Sequence, residues 1–286
     1  MIIDRLFDAV AARGPVCVGL DTSVGLLPAS LLDKLPPARA VLEFNREVID
    51  ATIDVCACFK VQIAHYEALG VDGLVAYRET IAYAHERGAI VIGDVKRGDI
   101  ASTGEMYARA HLAGEFAVDM ITVNPYMGYD AIRPYLPYLE HGDKGIFVLI
   151  RTSNPSARDF QELESDGRPL FLHVARAVAE WGAEYVGRCG YSAIGGVVGA
   201  TGPDQLAAVR AEFPSIFFLV PGYGAQGGGG RDVAPAFRDG NGAVVNASRS
   251  IIGAHRGKPD GDRRYAAYAR AAAIGMREEI ERWRDG

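Results

Sequence analysis

Eight short apolar segments recur along this chain of 286 residues, and each is followed by polar or glycine-containing residues and then by a helical pattern. Valine and isoleucine dominate these segments, and several are almost continuously apolar, which is typical of strands buried on both faces of a parallel sheet. The predicted strands are Val16–Leu20, Ala57–Ile63, Ala89–Val95, Val118–Val123, Gly145–Ile150, Ile194–Val198, Ile216–Val220 and Ala243–Val245.

Amphipathic stretches separate the predicted strands. They are Val41–Ala51, Leu74–Arg87, Thr103–Ala113, Leu170–Trp181, Pro203–Glu212 and Asp232–Arg238, with a further helix in the tail Lys258–Gly286. Eight β–α alternations in about 250 residues match an α/β fold of the (β/α)8 barrel (TIM barrel) type. We therefore expect residues 1–286 to form a single barrel domain, with an open doubly wound sheet as the alternative, although no G-x-G-x-x-G follows the first strand.

Polar residues cluster where the predicted strands end. Asp21 follows the first strand, Lys60 lies within the second, Asp94 and Lys96 close the third, and Ser248-Arg249 follow the eighth. In a barrel all of these positions lie on the C-terminal rim, where active sites are built. A purely structural protein has no need for lysines and aspartates on this one rim, so the pattern favours an enzyme.

A compact group of charges lies in Ile92–Ile100, where two acidic and two basic residues fall within six positions directly after an apolar run. Side chains alternate along a strand, so Asp94 and Lys96 would project from one face, with Asp99 one turn further on. A lysine between two carboxylates is held protonated, as a general acid requires. The alternative is a patch of surface salt bridges.

Composition excludes several classes of partner. The hydrophobic fraction of 49% and the charged fraction of 23% are ordinary for a soluble globular protein. A net charge of −6 gives no reason to expect nucleic acid or an anionic membrane as a partner. No apolar run approaches the ~20 residues of a membrane-spanning helix, and the N-terminus lacks the features of a signal peptide. We expect a cytoplasmic protein.

Neither the cysteines nor the histidines show the spacing of a metal site. Cys17, Cys56 and Cys58 lie in apolar runs, where reduced cysteine behaves as a small hydrophobe. Cys56-Ala57-Cys58 is not a C-x-x-C pair, and the six histidines form no H-E-x-x-H motif. We expect no metal, and no cofactor motif is visible.

A glycine-rich segment follows the seventh predicted strand, with six glycines in nine residues from Gly222 to Gly230. Glycine lets the backbone approach a ligand closely, so that its amides can bind an anion. Barrels often bind phosphate with the loops after strands seven and eight, and the second of these carries Arg249. Together they predict a phosphate site, whereas the glycine run alone is also typical of a flexible loop.

The connection Arg151–Pro169 is longer than a barrel needs. Its residues 154–169 are either a mobile lid over the site or a surface excursion, and the sequence does not separate the two. Ser153, at its start, offers a hydroxyl for a heterocycle, but the S-N-P pattern is also a turn signal. The tail helix has no evident chemistry.

Taken together, these motifs resemble the orotidine 5′-phosphate decarboxylase family, in its longer bacterial (type 2) subfamily. Asp94–Ile100, with Thr103 at the family spacing, is the most specific part of the match. The other matching segments, in order, are Gly19–Asp21, Phe59–Gln62, Thr152–Pro155, Pro221–Gly228 and Ser248–Ser250. The resemblance implies decarboxylation of orotidine 5′-phosphate to UMP in pyrimidine synthesis, without a cofactor.

The resemblance also implies a role for each catalytic residue. Lys60, Asp94, Lys96 and Asp99 would form a charged array, in which Lys96 protonates C6 of the pyrimidine after CO₂ has left. Asp99 would come from the partner subunit of a homodimer.

For substrate binding, the resemblance assigns Asp21 and Thr103 to the ribose, with Thr103 also from the partner subunit. Ser153 would bind the pyrimidine, and Gln226 and Arg249 would hold the phosphate. Two positions depart from the family pattern: Ser248 stands where many relatives have glycine, and Gly229-Gly230 replace an acidic residue or threonine.

Three other functions remain open from the sequence. A related group of sugar-phosphate decarboxylases and aldolases shares D-x-K-x-x-D but depends on Mg²⁺. A Schiff-base aldolase could use Lys60 or Lys96 on the same fold. A non-catalytic nucleotide-binding protein would bind UMP without turnover, and the complete charged array argues against it.

Overall fold

A closed parallel barrel forms the centre of the computed structural model, which describes residues 1–224 and 227–284. In chain order, its eight strands are β1 Val16–Gly19, β2 Cys58–Gln62, β3 Val91–Arg97, β4 Met120–Val123, β5 Gly145–Arg151, β6 Ser192–Val198, β7 Ile216–Val220 and β8 Ala243–Ala247. Neighbouring strands pair in parallel, and β8 pairs with β1 to close the barrel. Each strand overlaps one predicted apolar segment, so the (β/α)8 prediction is confirmed and the open sheet is excluded.

Helices surround the barrel and connect its strands. They are α1 Ile2–Arg13, α2 Ala29–Leu32, α3 Pro37–Thr52, α4 Ala64–Glu67, α5 Gly70–Glu86, α6 Ala101–Leu112, α7 Leu136–Leu139, α8 Leu170–Trp181, α9 Pro203–Glu212, α10 Gly230–Val233, α11 Arg249–Ile252 and α12 Gly261–Arg284. The predicted helices 170–181 and 203–212 have the predicted bounds, and α12 lies within the predicted tail helix. No helix in the described ranges is long and apolar enough to cross a lipid bilayer.

One predicted helix is interrupted. The segment Asp232–Arg238 does not form a continuous helix: α10 ends at Val233, and a 3₁₀ turn follows over Ala234–Ala236. Pro235 has no backbone N–H to continue the i→i−4 hydrogen bonds of an α-helix. The chain therefore tightens into the shorter-range bonding of a 3₁₀ turn before it enters β8.

Alternating strand residues fill the inside of the barrel, while the residues between them pack against the outer helices. The inner layer includes Cys17, Cys58, Ile92, Met120, Phe147, Phe217 and Val244. Helix α1, which the sequence did not predict, adds Ile2, Leu6 and Val10 to this inner layer. It also bonds residues that precede the strands, since Gly142 accepts from the Ile2 amide and Asn241 donates to Phe7. Helix α1 therefore covers the N-terminal end of the barrel.

The cysteines are free thiols. Cys17, Cys56 and Cys58 are buried, and burial raises the pKa of the Cys56 and Cys58 thiols above their usual value. The Cys56 and Cys58 thiols therefore stay neutral, and all three buried side chains pack as small apolar groups, as the sequence predicts.

Candidate active site

A cleft of about 850 Å³ opens at the C-terminal end of the barrel. Each strand, or the loop directly after it, contributes to the lining: in strand order, Asp21, Lys60, Asp94 with Lys96, Thr122, Leu149, Val197, Leu219 and Asn246. The residues that sequence placed on this rim therefore converge, as expected for a (β/α)8 barrel.

Four charged side chains form a line of alternating sign across the cleft. The ammonium Nζ of Lys60 lies 3.0 Å from Asp21 Oδ1 and 2.9 Å from Asp94 Oδ2. The other oxygen of Asp94, Oδ1, lies 2.5 Å from Nζ of Lys96. The order is Asp21, Lys60, Asp94, Lys96, so each inner charge has an opposite charge on both sides.

The inner pair is buried and the outer lysine is open to the cleft. The side chain of Lys60 is 4% exposed and that of Asp94 is 10% exposed, whereas that of Lys96 is 46% exposed. Burial alone would raise the pKa of Asp94, but the charges and hydrogen bonds of Lys60 and Lys96 hold that pKa well below its usual value. Burial would likewise lower the pKa of Lys60, yet Asp21 and Asp94 raise it above its usual value. Both groups are therefore ionised.

A bulge in β3 sets the position of Lys96. Gly93 is paired with Ile121 and Arg97 with Val123, so three residues of β3 face a single residue of β4. Within the bulge Lys96 has a φ of 47°, in the left-handed region that residues other than glycine seldom occupy. The regular alternation of side chains along a strand, assumed from the sequence, does not hold in this bulge. Asp94 and Lys96 nevertheless form an ion pair.

Thr122 is the β4 residue that faces this bulge, and it is buried. Its Oγ1 accepts hydrogen bonds from the backbone amides of Val95, at 3.0 Å, and Lys96, at 2.9 Å. The same hydroxyl donates to Asp94 Oδ1 at 3.0 Å. One side chain therefore joins the bulged backbone to the central carboxylate.

Asp21 is held by a second hydroxyl. Ser248 donates from Oγ to Asp21 Oδ2 at 2.8 Å, while the other Asp21 oxygen accepts from Lys60. This contact needs glycine at position 19, because a Cβ there would lie 1.9 Å from Ser248 Oγ. The departure from the family pattern at position 248 thus adds a hydrogen bond to the array.

The predicted phosphate residues lie on the β7 and β8 side of the cleft. Arg249, the first residue of α11, lines the cleft together with Gly222, Tyr223 and a second arginine, Arg256. Gln226, also predicted to hold phosphate, lies outside the described residues.

Ser153 and Asn154 line the cleft at the end of β5. The following connection forms a 3₁₀ turn over Pro155–Asp159 and a two-stranded hairpin, Glu164–Ser165 with Arg168–Pro169. Gln161 fastens this connection to the barrel, because its side-chain Oε1 accepts from the Thr152 amide at 2.8 Å.

Two predicted site residues stand apart from the cleft. Asp99 and Thr103 are absent from the lining among the described residues, and Asp99 Oδ1 accepts instead from the amide of Ile100 at 2.8 Å. Sequence reasoning also assigned no role to several polar residues that do line it, among them Thr122, Asn246 and Arg256. A polar residue inside an otherwise apolar predicted strand was the available signal for Thr122, and a polar residue directly after the eighth predicted strand was the signal for Asn246.

Comparison with known proteins gives a consistent result. The profile of the "Orotidine 5'-phosphate decarboxylase / HUMPS family" matches residues 14–261. A Petrotoga mobilis protein named orotidine 5′-phosphate decarboxylase is 50% identical over 284 residues, covering 98% of both chains. A Clostridium perfringens protein of the same name is 50% identical over 282 residues, again covering 98% of both chains.

A solved structure of Leishmania donovani OMP decarboxylase superposes with a TM-score of 0.79 at 33% identity. The match covers 100% of this chain and 99% of the Leishmania chain. The fold, the charged array and the relatives agree, and this chain belongs to the orotidine 5′-phosphate decarboxylase / HUMPS family.

Proposed function

We propose that this protein decarboxylates orotidine 5′-phosphate to UMP in pyrimidine synthesis, without a metal or an organic cofactor. The observation that carries the proposal is the line Asp21, Lys60, Asp94, Lys96 at the open end of the barrel. Relatives with 50% identity over nearly the whole chain bear the name of this enzyme.

The reaction breaks the bond between C6 of the pyrimidine and the carboxylate carbon. The electron pair of that bond stays on C6 as CO₂ leaves, and C6 has no adjacent carbonyl or imine to delocalise it. A fixed ammonium group directed at C6 stabilises this developing charge, which is usually the largest contribution to catalysis. Transfer of a proton from Lys96 Nζ to C6 then gives UMP, and the lysine regains its proton from solvent.

The two lysines differ in a way that supports Lys96 as the proton donor. Lys60 is enclosed by two carboxylates and almost fully buried, so its role is to hold Asp21 and Asp94 in place. Lys96 has Asp94 on one side and the cleft on the other. Asp94, placed beside the substrate carboxylate, would also raise the energy of the bound substrate relative to the transition state.

Binding groups remote from C6 complete the proposed site. Asp21 accepts hydrogen bonds from the ribose hydroxyls, Ser153 binds the pyrimidine, and Gln226 and Arg249 hold the phosphate. Binding energy gained at the phosphate can be used at the reacting carbon.

Asp99 and Thr103 belong to this proposal as residues of a second subunit. Neither residue lines this chain's own cleft among the described residues, which supports a homodimer in which each subunit supplies them to its partner. Large apolar side chains are exposed nearby: Ile100, Met106, Tyr126 and Met127. A two-fold interface over this surface would bury them and exchange the same residues in both directions.

The first test follows the absorbance decrease as orotidine 5′-phosphate becomes UMP. We expect turnover by the wild-type protein that EDTA does not change, and a loss of several orders of magnitude in kcat for Lys96→Ala. The variant must still bind UMP and unfold at a normal temperature. Near-normal turnover of Lys96→Ala would refute the assignment, and sensitivity to EDTA would favour the Mg²⁺-dependent relatives.

The second test concerns the shared site. Lys96→Ala and Asp99→Ala, each nearly inactive, are dissociated and reassociated together. A mixed dimer then contains one doubly altered site and one intact site, so random exchange restores about a quarter of all sites. If subunit exchange is verified and no activity returns, Asp99 acts within its own chain.

A further inference from the structure

The C-terminal helix α12 contacts the glycine-rich loop through one carboxylate. Tyr223, near the start of the loop, donates from its hydroxyl to Glu279 Oε2 at 2.6 Å. Gly230, at the end of the loop, donates from its backbone amide to Glu279 Oε1 at 2.8 Å. A single side chain on α12 thus holds both described ends of the segment that follows β7.

We infer that Glu279 is a positioning residue that holds Tyr223 and Gly230, at the two ends of the glycine-rich loop, in place for phosphate binding. The inference rests on the proposed function and extends it to a helix without evident chemistry in the sequence. Glu279 does not line the cleft, whereas Tyr223 and its neighbour Gly222 do. Its effect on the phosphate must therefore pass through the loop.

Burial and charge make this contact a strong one. Tyr223 is 8% exposed, and its burial, reinforced by the bond to the Glu279 carboxylate, raises the pKa of the phenol above its usual value. The bonds from Tyr223 and the Gly230 amide lower the pKa of Glu279 below its usual value. A neutral phenol therefore donates to an ionised carboxylate, and hydrogen bonds to charged groups are the stronger class.

Close packing fixes the loop against the helix at the same point. A Cβ on Gly230 would lie 2.7 Å from the Glu279 carbonyl oxygen and 3.0 Å from Trp283 Cδ1. Glycine is therefore required where the loop backbone touches α12. Within the loop, Tyr223 and Gly228 form a β-bridge, which links the two ends of the loop to each other.

Such a contact matters because glycine-rich backbone loses more conformational entropy on ordering than any other backbone. A loop that must be ordered when phosphate arrives binds it less tightly than a loop that is already ordered. Removing Glu279 should therefore weaken binding of phosphate-bearing ligands and leave binding of the base and ribose much less affected.

The experiment compares Glu279→Ala with Tyr223→Phe, and Glu278→Ala serves as a matched control because that neighbouring side chain points to solvent. We measure kcat and KM on orotidine 5′-phosphate, kcat/KM on the phosphate-free nucleoside orotidine, and UMP affinity by calorimetry. Thermal unfolding of every variant verifies the fold.

For Glu279→Ala we expect about a 10- to 100-fold loss in UMP affinity and in kcat/KM on the phosphate-bearing substrate. The loss on orotidine should be at least about tenfold smaller. Tyr223→Phe keeps the contact between Gly230 and Glu279. Its loss in UMP affinity and in kcat/KM should therefore be smaller, but again greater on the phosphate-bearing substrate than on orotidine. Glu278→Ala should match the wild type.

Equal losses on both substrates, or unchanged UMP affinity, would overturn the inference. If Glu279→Ala does not fold, Tyr223→Phe decides by the same criteria. A wild-type protein that binds UMP but does not decarboxylate would refute the proposed function alone, and the UMP affinities of the variants would still decide the role of Glu279.

Discussion

Replacing Thr122 with valine removes one buried hydroxyl and keeps the branched shape of the side chain. The buried amide of Val95 loses its acceptor, which costs about 1–3 kcal/mol, and Asp94 loses a hydrogen bond to a charged group of about 1.5–3 kcal/mol. Water replaces part of the contact at the less buried Lys96 amide. Because Asp94 keeps both lysines, we expect the free energy of unfolding to fall by about 2–4 kcal/mol.

The same substitution should slow the reaction. Lys96 has a left-handed backbone conformation that costs about 1–3 kcal/mol and persists only where its surroundings impose it. Without the Thr122 hydroxyl the bulge can relax, and a displacement of about 1 Å at the reacting group costs about 100-fold in rate. We therefore expect kcat to decrease about 100-fold, with a much smaller change in KM.

Two further variants make this test specific. Thr122→Ser keeps the hydroxyl and should retain most of the activity. Thr52→Val removes a hydroxyl of equal burial that donates to the Val48 carbonyl at 2.7 Å, far from the cleft, and should leave kcat unchanged. The measurements are steady-state kinetics and urea unfolding. If Thr122→Val keeps wild-type kcat, or if Thr122→Ser loses as much as Thr122→Val, the bulge does not depend on this hydroxyl.

Two other predictions concern phosphate and pH. Arg249→Ala should cost about 2–5 kcal/mol of transition-state binding on orotidine 5′-phosphate, in KM and partly in kcat, and an equal loss on orotidine would show that Arg249 does not contact the phosphate. Burial, with the nearby charge of Arg97, lowers the pKa of His111 from 6.5 to about 4, so the unfolded chain binds this proton first as the pH falls. This difference in proton binding should lower the free energy of unfolding by about 3 kcal/mol between pH 6.5 and 4. In urea unfolding experiments, His111→Leu should lack this contribution to the pH dependence. The same pH dependence in His111→Leu as in the wild type would contradict the reasoning.

Much of the fold was predictable because strands buried in a parallel sheet have short, nearly continuous apolar sequences. Each barrel strand needs a short run of valine and isoleucine, so all eight runs were visible without knowledge of their partners. The grouping of polar residues on the C-terminal rim was predictable from the topology, because parallel strands in a barrel have all their C-terminal ends on one side. Helix α1 escaped prediction because it covers the end of the barrel and lies outside the β–α alternation.

The active site also has features that the sequence predicts and features that only the fold determines. The sequence alone determined that Asp94 and Lys96 are neighbours, because two positions in one strand always lie close together. Only the tertiary structure decided that Thr122 shapes the bulge beneath them and that Glu279 reaches the glycine-rich loop. Thr122 lies 26 positions from Lys96 and Glu279 lies 56 from Tyr223. Contacts of this kind depend on strand register and helix packing, which are properties of the whole fold and leave no local pattern in the chain.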